Sequence, residues 1–214
     1  MRWLALAGFI GPIWFTLVVI VQGLLQPDYG HVAMPISALA AWPYGWMQRL
    51  NFYVLGGLLT ANAVGLHRGM RQSRRGALAF PLLLTSGIGV ILAGVFSWMG
   101  DPKTQLVEPA AHVVAALMTF LGAGSGLVAL SRRMADDPAW RDLSAYTRAC
   151  GVTILALFPV MGFLAMPPGA PLHAVAGLLQ RLVLLAWFPC IIALSARLLR
   201  ARGGSSAARR SPPP

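Results

Sequence analysis

Six stretches of the chain are long and apolar enough to cross a membrane as helices. A bilayer core about 30 Å thick needs roughly 20 such residues per helix. Of the whole chain, 57% is apolar and only 11% is charged. The stretches show no alternation of polar and apolar residues, which membrane β-strands require. The predicted fold class is therefore all-α, a polytopic transmembrane bundle of six helices covering about 4–25, 50–66, 77–98, 110–131, 149–166 and 172–199.

Basic residues predict the orientation of this bundle, because Lys and Arg concentrate in cytoplasmic loops. Fourteen of the 17 basic residues lie before helix 1, between helices 2 and 3, between helices 4 and 5, or after helix 6. Only Arg49 and Lys103 lie on the other side, and Arg181 lies within helix 6. We therefore expect a multi-pass protein of the cell (plasma) membrane with both termini in the cytoplasm.

The last residues, 201–214, are basic and proline-rich. Their sequence, ARGGSSAARRSPPP, has no apolar periodicity and predicts a disordered cytoplasmic tail, lying near anionic lipid headgroups or free in solvent. The net charge of +11 is explained by this tail and the orienting loops, so nucleic acid is not an expected partner. Membrane lipids are expected partners, and the sequence indicates no particular protein partner.

Polar residues are concentrated on the predicted outer side of the bundle. Three of the four histidines lie there, and residues three or four apart share one face of a helix. The polar faces of helices 2, 4 and 6 start at similar depth, which predicts a ligand-binding pocket in the outer half of the bundle. The candidate residues are His31, Ser37, Asn51, Asp101, His112, His173, Gln180 and Arg181.

Arg181 is the residue that most needs an explanation. It lies about 13 Å below the outer end of helix 6, given a rise of 1.5 Å per residue. An unpaired arginine near the middle of a membrane costs about 2.5 to 3.5 kcal/mol. Because its charge cannot be removed, it must find an anion, several carbonyl groups or water. Three interpretations remain open: a structural pair with Asp101 or Glu108, recognition of an anionic or carbonyl-bearing ligand, and snorkelling to the headgroups.

The outer segment 31–52 connects helices 1 and 2. It is too short to span and is interrupted by Pro35 and Pro43, while aromatic residues such as Trp42 suit the membrane interface. We expect a half-buried lid. Within it, Pro35 can begin a short helix that presents Ser37 on one side.

Several motifs along the chain resemble those of one family. They are His31, PISALA at 35–40, GWMQRLNF at 45–52, FSWMGDP at 96–102, His112, and GLLQRL at 177–182. Together they resemble the domain-of-unknown-function family 998, bacterial integral membrane proteins with six helices, over nearly all of the chain up to about residue 200. The resemblance implies the architecture but no established activity. The chain departs from the family pattern at Val32, Val113 and Ala116, which replace a proline, a glycine and a second histidine.

Several functional classes are compatible with these residues. The first is binding of a lipid headgroup or small anion in the outer pocket. The second is an intramembrane metal-dependent hydrolase using His31, His112, His173 and Asp101, although no HExxH-type signature is present. A haem protein with His112 and His173 as axial ligands is a third, and a structural or partner-binding membrane subunit is a further alternative. The sequence identifies no metal site and no cofactor, and leaves open whether the chain is an enzyme.

Overall fold

The computed structural model describes residues 2–101 and 105–208. Lys103, which the sequence places on the outer side, and Arg209 and Arg210 of the tail lie outside the described residues. Six α-helices dominate the described part of the chain: α1 Arg2–Leu24, α2 Gly45–Gly69, α3 Ala79–Val95, α4 Ala110–Ala135, α5 Arg141–Leu164 and α6 Ala176–Ala208. A short antiparallel hairpin of β1 (Met99–Asp101) and β2 (Gln105–Val107) lies between α3 and α4.

Five helical segments in the described residues have the length and apolar composition needed to cross a membrane. They are Arg2–Leu24, Arg74–Val95, Ala110–Ala135, Arg141–Leu164 and His173–Arg200. The protein is thus a helical, multi-pass membrane protein. Helix α2 is more polar than these five, but its 25 residues extend over about 37 Å at 1.5 Å per residue.

Each helix packs against the next in the sequence, and α6 returns to pack against α1. The helices therefore form a closed ring, within which α2 also contacts α6. Polar side chains of α2 point into this ring, since Gln48, Asn51 and Asn62 are all buried. The low hydropathy of α2 is explained by these inward-facing amides.

Helices α4 and α5 are in backbone contact at one level and are separated at another. A Cβ atom on Gly124 would lie 3.0 Å from the Gly151 carbonyl oxygen, and one on Gly151 would lie 2.6 Å from the Gly124 carbonyl oxygen. Such glycine pairs let membrane helices approach closely. Nearer the β-hairpin, the rings of Phe120 and Phe158 lie between the two helices with centroids 5.0 Å apart.

The two ends of the bundle differ in character. The hairpin end comprises residues 25–44, the β-hairpin residues 96–101 and 105–109, and the loop 165–175. The arginine end comprises residues 68–78 and 132–141, and it contains seven of the arginines that predict the cytoplasmic side. The predicted short helix after Pro35 is confirmed as a 3₁₀ helix over Ile36–Ala41.

Helix boundaries differ from those expected. α2 begins at Gly45 rather than near 50, and α5 begins at Arg141 rather than near 149. α6 begins at Ala176, after a 3₁₀ turn over His173–Val175, and continues to Ala208. The physical reason is that apolar composition marks the part of a helix that lies in lipid, whereas a helix continues into water wherever its backbone remains bonded. In α5, Asp142 in the first turn also favours a helix start at Arg141.

Candidate functional site

A cavity of about 760 Å³ lies at the hairpin end of the bundle. Five polar side chains from separate parts of the chain line it: Ser37, Glu108, His112, His173 and Gln180. Its apolar walls come from one face of α4 and one face of α5, each made by residues three or four apart. They are Val113, Ala116 and Phe120 on α4, and Phe158, Met161 and Gly162 on α5. All five polar side chains lie near the hairpin end, together with apolar loop residues such as Met34, Leu106 and Met166, whereas the deeper lining between α4 and α5 is entirely apolar.

The depth of this cavity is limited by the Phe120 and Phe158 pair, which both line it. Phe120 lies ten residues into α4, which corresponds to about 15 Å from the helix start. Half of a bilayer core is also about 15 Å thick. The cavity therefore extends from the helix ends to about half the depth of the bundle.

His112 and His173 are held in the same way. His112 is 3% exposed, and its Nδ1 lies 2.8 Å from the Phe96 carbonyl oxygen. Nδ1 of His173, in the same cavity lining, lies 3.0 Å from the Ala165 carbonyl oxygen. Because a carbonyl oxygen only accepts, each neutral ring carries its proton on Nδ1, and Nε2 is left as a hydrogen-bond acceptor.

Glu108 supplies the carboxyl group of the cavity. It is half-buried at the step between β2 and α4. Burial raises the pKa of Glu108 to about 7, while the neighbouring Trp98 acts in the opposite direction. The carboxyl group can therefore change its charge near neutral pH.

Gln180 connects the cavity to the segment before α2. Its Oε1 accepts a hydrogen bond from the Ile36 backbone N–H, which caps the 3₁₀ helix Ile36–Ala41. Ser37, the next residue, is 3% exposed and lines the same cavity. With its oxygen engaged, Gln180 retains its amide NH₂ as a donor.

Arg181 is adjacent to Gln180 but is not among the residues that line the cavity. Its guanidinium donates to the Gly177 carbonyl at 3.0 Å, the Tyr29 hydroxyl at 3.2 Å and Nδ1 of His31 at 3.2 Å. The Met34 carbonyl lies 3.5 Å away, and the Tyr29 ring centroid lies 5.8 Å from the guanidinium carbon. The expectation of Asp101 or Glu108 as the partner is therefore wrong, because loop carbonyls and neutral side chains take up the donors instead.

The start of α6 holds the same loop through its backbone. The N–H groups of Gly177 and Leu178 donate to the Ala33 and Val32 carbonyls at 3.3 and 2.9 Å. These are helix N-terminal donors that have no partner within the helix. A Cβ on Gly177 would lie 2.2 Å from the Met34 carbonyl oxygen, so this approach requires glycine. The loop 32–36 is thus attached to α6 by backbone and side-chain bonds together.

Two side chains beside Arg181 have shifted pKa values. Burial, followed by the charge of Arg181, lowers the pKa of His31. Burial raises the pKa of Tyr29, and Arg181 opposes this shift. The Tyr29 hydroxyl also lies 3.0 Å from the Met34 carbonyl and 3.1 Å from the Pro35 carbonyl. Near neutral pH both rings are uncharged, which suits a position against a fixed cation.

The structure separates the remaining predicted site residues from the cavity. Asn51 is buried and donates through Nδ2 to the Phe15 carbonyl at 3.1 Å, which connects α2 to α1. Asp101 is exposed at the end of β1, opposite Gln105. Neither residue lines the cavity.

The structure thus brings four of the eight predicted residues, Ser37, His112, His173 and Gln180, to one cavity. The set required by the hydrolase hypothesis is not brought together, since His31 contacts Arg181 and Asp101 lies on the hairpin. Within residues 2–101 and 105–208, no group of three or more His, Cys, Asp or Glu side chains is arranged to hold a metal ion.

Sequence reasoning missed two buried polar residues that position the bundle ends. Gln22 is fully buried in α1 and donates to the Leu39 and Tyr44 carbonyls, both at 3.0 Å. An amide at the end of an apolar run was the available signal for Gln22. Arg133 is 2% exposed, although the sequence showed it only as one of the arginines that predict the cytoplasmic side. Its guanidinium donates to three carbonyls at the arginine end, those of Arg71 at 2.7 Å, His67 at 2.8 Å and Met70 at 2.6 Å.

Comparison with protein families places the whole bundle in one group. Residues 9–197, from early α1 to late α6, match the model of a family described as protein of unknown function, DUF998. The chain belongs to this family. The resemblance inferred from the sequence motifs is confirmed, and DUF998 membership extends to every helix of the ring. No curated protein and no solved structure matches the chain.

Proposed function

We propose that this DUF998 protein binds a membrane lipid in the hairpin-end cavity. The headgroup would lie at the polar mouth, among Glu108, His173 and Gln180, and an acyl chain would lie against the apolar walls of α4 and α5. The observation that carries the proposal is that the polar side chains of the lining all lie near the loops, while its deeper part between the helices is apolar. A bilayer lipid has this same order of polarity along its length.

The charge of the lining favours a lipid headgroup over a small free anion. Among the described lining residues there is one carboxyl group, Glu108, and no Lys or Arg. A small anion in a partly buried site needs a cation or several N–H donors. A lipid instead gains most of its binding free energy from its apolar chain, which the walls of α4 and α5 can supply.

We further propose that all six helices span the plasma membrane and that both termini lie in the cytoplasm. Support comes from α2, which has the length of a span and directs its amides into the ring, and from the basic residues near the arginine end. A membrane-impermeant maleimide applied to whole cells tests the orientation. In a chain lacking Cys150 and Cys190, Pro168→Cys should be labelled from outside and Arg74→Cys should not. Labelling of Arg74→Cys alone would reverse the orientation.

Lipid binding is tested by filling the cavity at Gly162. An added Cβ at Gly162 meets no heavy atom within 4 Å, so a leucine side chain there can enter the cavity without a backbone clash. Gly57, on the exposed side of α2, is equally open to a Cβ and does not line the cavity. Gly57→Leu is therefore a matched control for the change in helix propensity and size.

The measurement is native mass spectrometry of the protein released from detergent micelles. The wild type and Gly57→Leu should retain phospholipid in about one-to-one ratio, while Gly162→Leu should retain several times less at unchanged thermal stability. Equal retention by both leucine variants, or a wild type that retains no lipid, contradicts the proposal.

A further inference from the structure

We infer that the cavity selects a lipid headgroup that carries a primary ammonium, as ethanolamine phospholipids do, with Glu108 as its counter-ion. This inference rests on the proposed lipid binding and adds the chemical class of the headgroup. It stands on the hydrogen-bonding character of the side chains that share the cavity lining.

The lining is rich in acceptors. His112 and His173 have each committed Nδ1–H to a backbone carbonyl, at 2.8 and 3.0 Å, so that each offers Nε2 as a lone pair. Glu108 adds a carboxylate when it is ionised. A primary ammonium has three N–H donors and no acceptor. Glu108 can therefore act as its counter-ion, and the Nε2 atoms of His112 and His173 are further acceptors in the same lining.

Arg181 and Arg49, the described cations of the hairpin end, bond mainly to groups outside the cavity lining. Arg181 donates to Tyr29, His31 and Gly177, as described above, and Arg49 donates to the Ala40 carbonyl at 3.4 Å. Neither guanidinium lines the cavity, and no other Lys or Arg is found among the lining residues that the structure describes. Among the described lining residues, the headgroup would therefore meet the charge of Glu108 without a competing cation.

Gln180 can bind the phosphate of a zwitterionic headgroup by donating a hydrogen bond to it. Its Oε1 accepts the Ile36 N–H, which leaves the NH₂ group of this lining residue as a donor for a bound molecule. A phosphodiester oxygen is a suitable acceptor for this amide. A choline headgroup has the same net charge but lacks N–H donors, and a glycerol headgroup lacks the cation. These two headgroups are thus the natural competitors.

The test is a competition between three phospholipids with identical acyl chains. Delipidated protein in detergent is mixed at pH 8 with equal amounts of phosphatidylethanolamine, phosphatidylcholine and phosphatidylglycerol, and bound lipid is counted by native mass spectrometry. The wild type should retain phosphatidylethanolamine roughly tenfold over phosphatidylcholine, which corresponds to one charge-assisted hydrogen bond. Equal retention of these two, or a preference for phosphatidylglycerol, overturns the headgroup inference while leaving lipid binding intact. Failure to retain any of the three overturns the proposed function itself.

Two variants assign the selectivity to Glu108. Glu108→Gln should lower the ethanolamine preference to about twofold or less while total lipid retention stays within twofold of the wild type. Asp101→Asn removes a carboxylate from the same end that does not line the cavity, and it should leave the preference unchanged. A Glu108→Gln protein that keeps the full preference refutes the counter-ion role. If Glu108→Gln does not fold, Glu108→Ala replaces it, because it also removes the carboxylate, and it should lower the ethanolamine preference to the same extent.

Discussion

Replacing Arg181 should loosen the loop before α2 without stranding a buried charge. Two of its hydrogen bonds reach that loop within 3.2 Å, those to the Tyr29 hydroxyl and to Nδ1 of His31. A hydrogen bond from a charged group contributes about 1.5 to 3 kcal/mol. The guanidinium is only half-buried, so the lower value applies, and Arg181→Leu should favour loop opening by about 3 kcal/mol. Arg181→Lys retains a charge but loses the fork of donors, and about 1.5 kcal/mol should be lost.

Loop opening can be read from the labelling rate of a buried cysteine. Ala38 lies in the 3₁₀ helix Ile36–Ala41 with 0% exposure, so Ala38→Cys reacts with a maleimide only when this segment opens. In a background without Cys150 and Cys190, a change of about 3 kcal/mol corresponds to roughly a hundredfold faster labelling, and 1.5 kcal/mol to roughly tenfold.

Arg49→Leu is the control for this experiment, because Arg49 makes one long bond of 3.4 Å to Ala40 at the same end. It should change the labelling rate by less than about threefold. A wild-type labelling rate in Arg181→Leu would refute the role assigned to Arg181. A loss of stability in Arg181→Leu that Asp101→Asn restores would instead reveal a carboxylate pair.

Three further predictions concern charge at the two ends of the bundle. The pKa of His31 is lowered from 6.5, so its contribution to stability is present above pH 6.5 and is lost as the pH falls toward the folded pKa. His31→Gln should therefore reduce the fall in thermal midpoint that the wild type shows on acidification, and an unchanged fall would contradict this. The pKa of Glu108 is raised from 4.5 to about 7, so its contribution to stability is present below pH 4.5 and is lost as the pH rises through 7. Glu108→Gln should flatten the plot of unfolding free energy against pH over this range, and an unchanged slope would show that another group causes it. Arg133→Leu removes three hydrogen bonds to carbonyls and should destabilise the bundle by at least about 4 kcal/mol in thermal or denaturant unfolding. Arg132 is the exposed neighbour, so Arg132→Leu should cost less than about 0.5 kcal/mol. Equal destabilisation by the two substitutions would contradict the burial of Arg133.

The number and order of the long helices follow from hydropathy, because apolar length measures what a bilayer must cover. Their ends do not follow from it. Residues 141–148 contain Arg141 and Arg148 and read as a loop on charge alone, yet they form the first turns of α5. The carbonyl and N–H groups of a helix remain bonded whether or not lipid surrounds it, so the boundary of a helix is set by capping and by tertiary contacts outside the apolar run.

The candidate site could be predicted in part for a similar reason. Helix periodicity and a shared side of the bundle were sufficient to group His112, His173 and Gln180. They could not separate Gln180 from Arg181, because neighbouring residues on a helix with 3.6 residues per turn point about 100° apart. Only the position of the loop 32–36 determines which of the two faces the cavity. That position depends on contacts 144 and 150 residues apart in sequence, from Gln180 to Ile36 and from Arg181 to His31.

The buried or half-buried arginines at the two ends of the bundle meet the same physical need. A loop that enters the bundle exposes carbonyl groups that no helix or sheet bonds, and irregular backbone at membrane depth is tolerated only where protein or water satisfies it. A guanidinium supplies five donors that remain charged at any relevant pH. Arg133 satisfies three carbonyls at the arginine end, and Arg181 bonds the loop at the hairpin end. The Asp137 carboxylate near Arg133 accepts from the Arg71 backbone N–H and leaves the guanidinium donors to the carbonyls. An arginine near the end of a span therefore indicates a packed loop as readily as a ligand site.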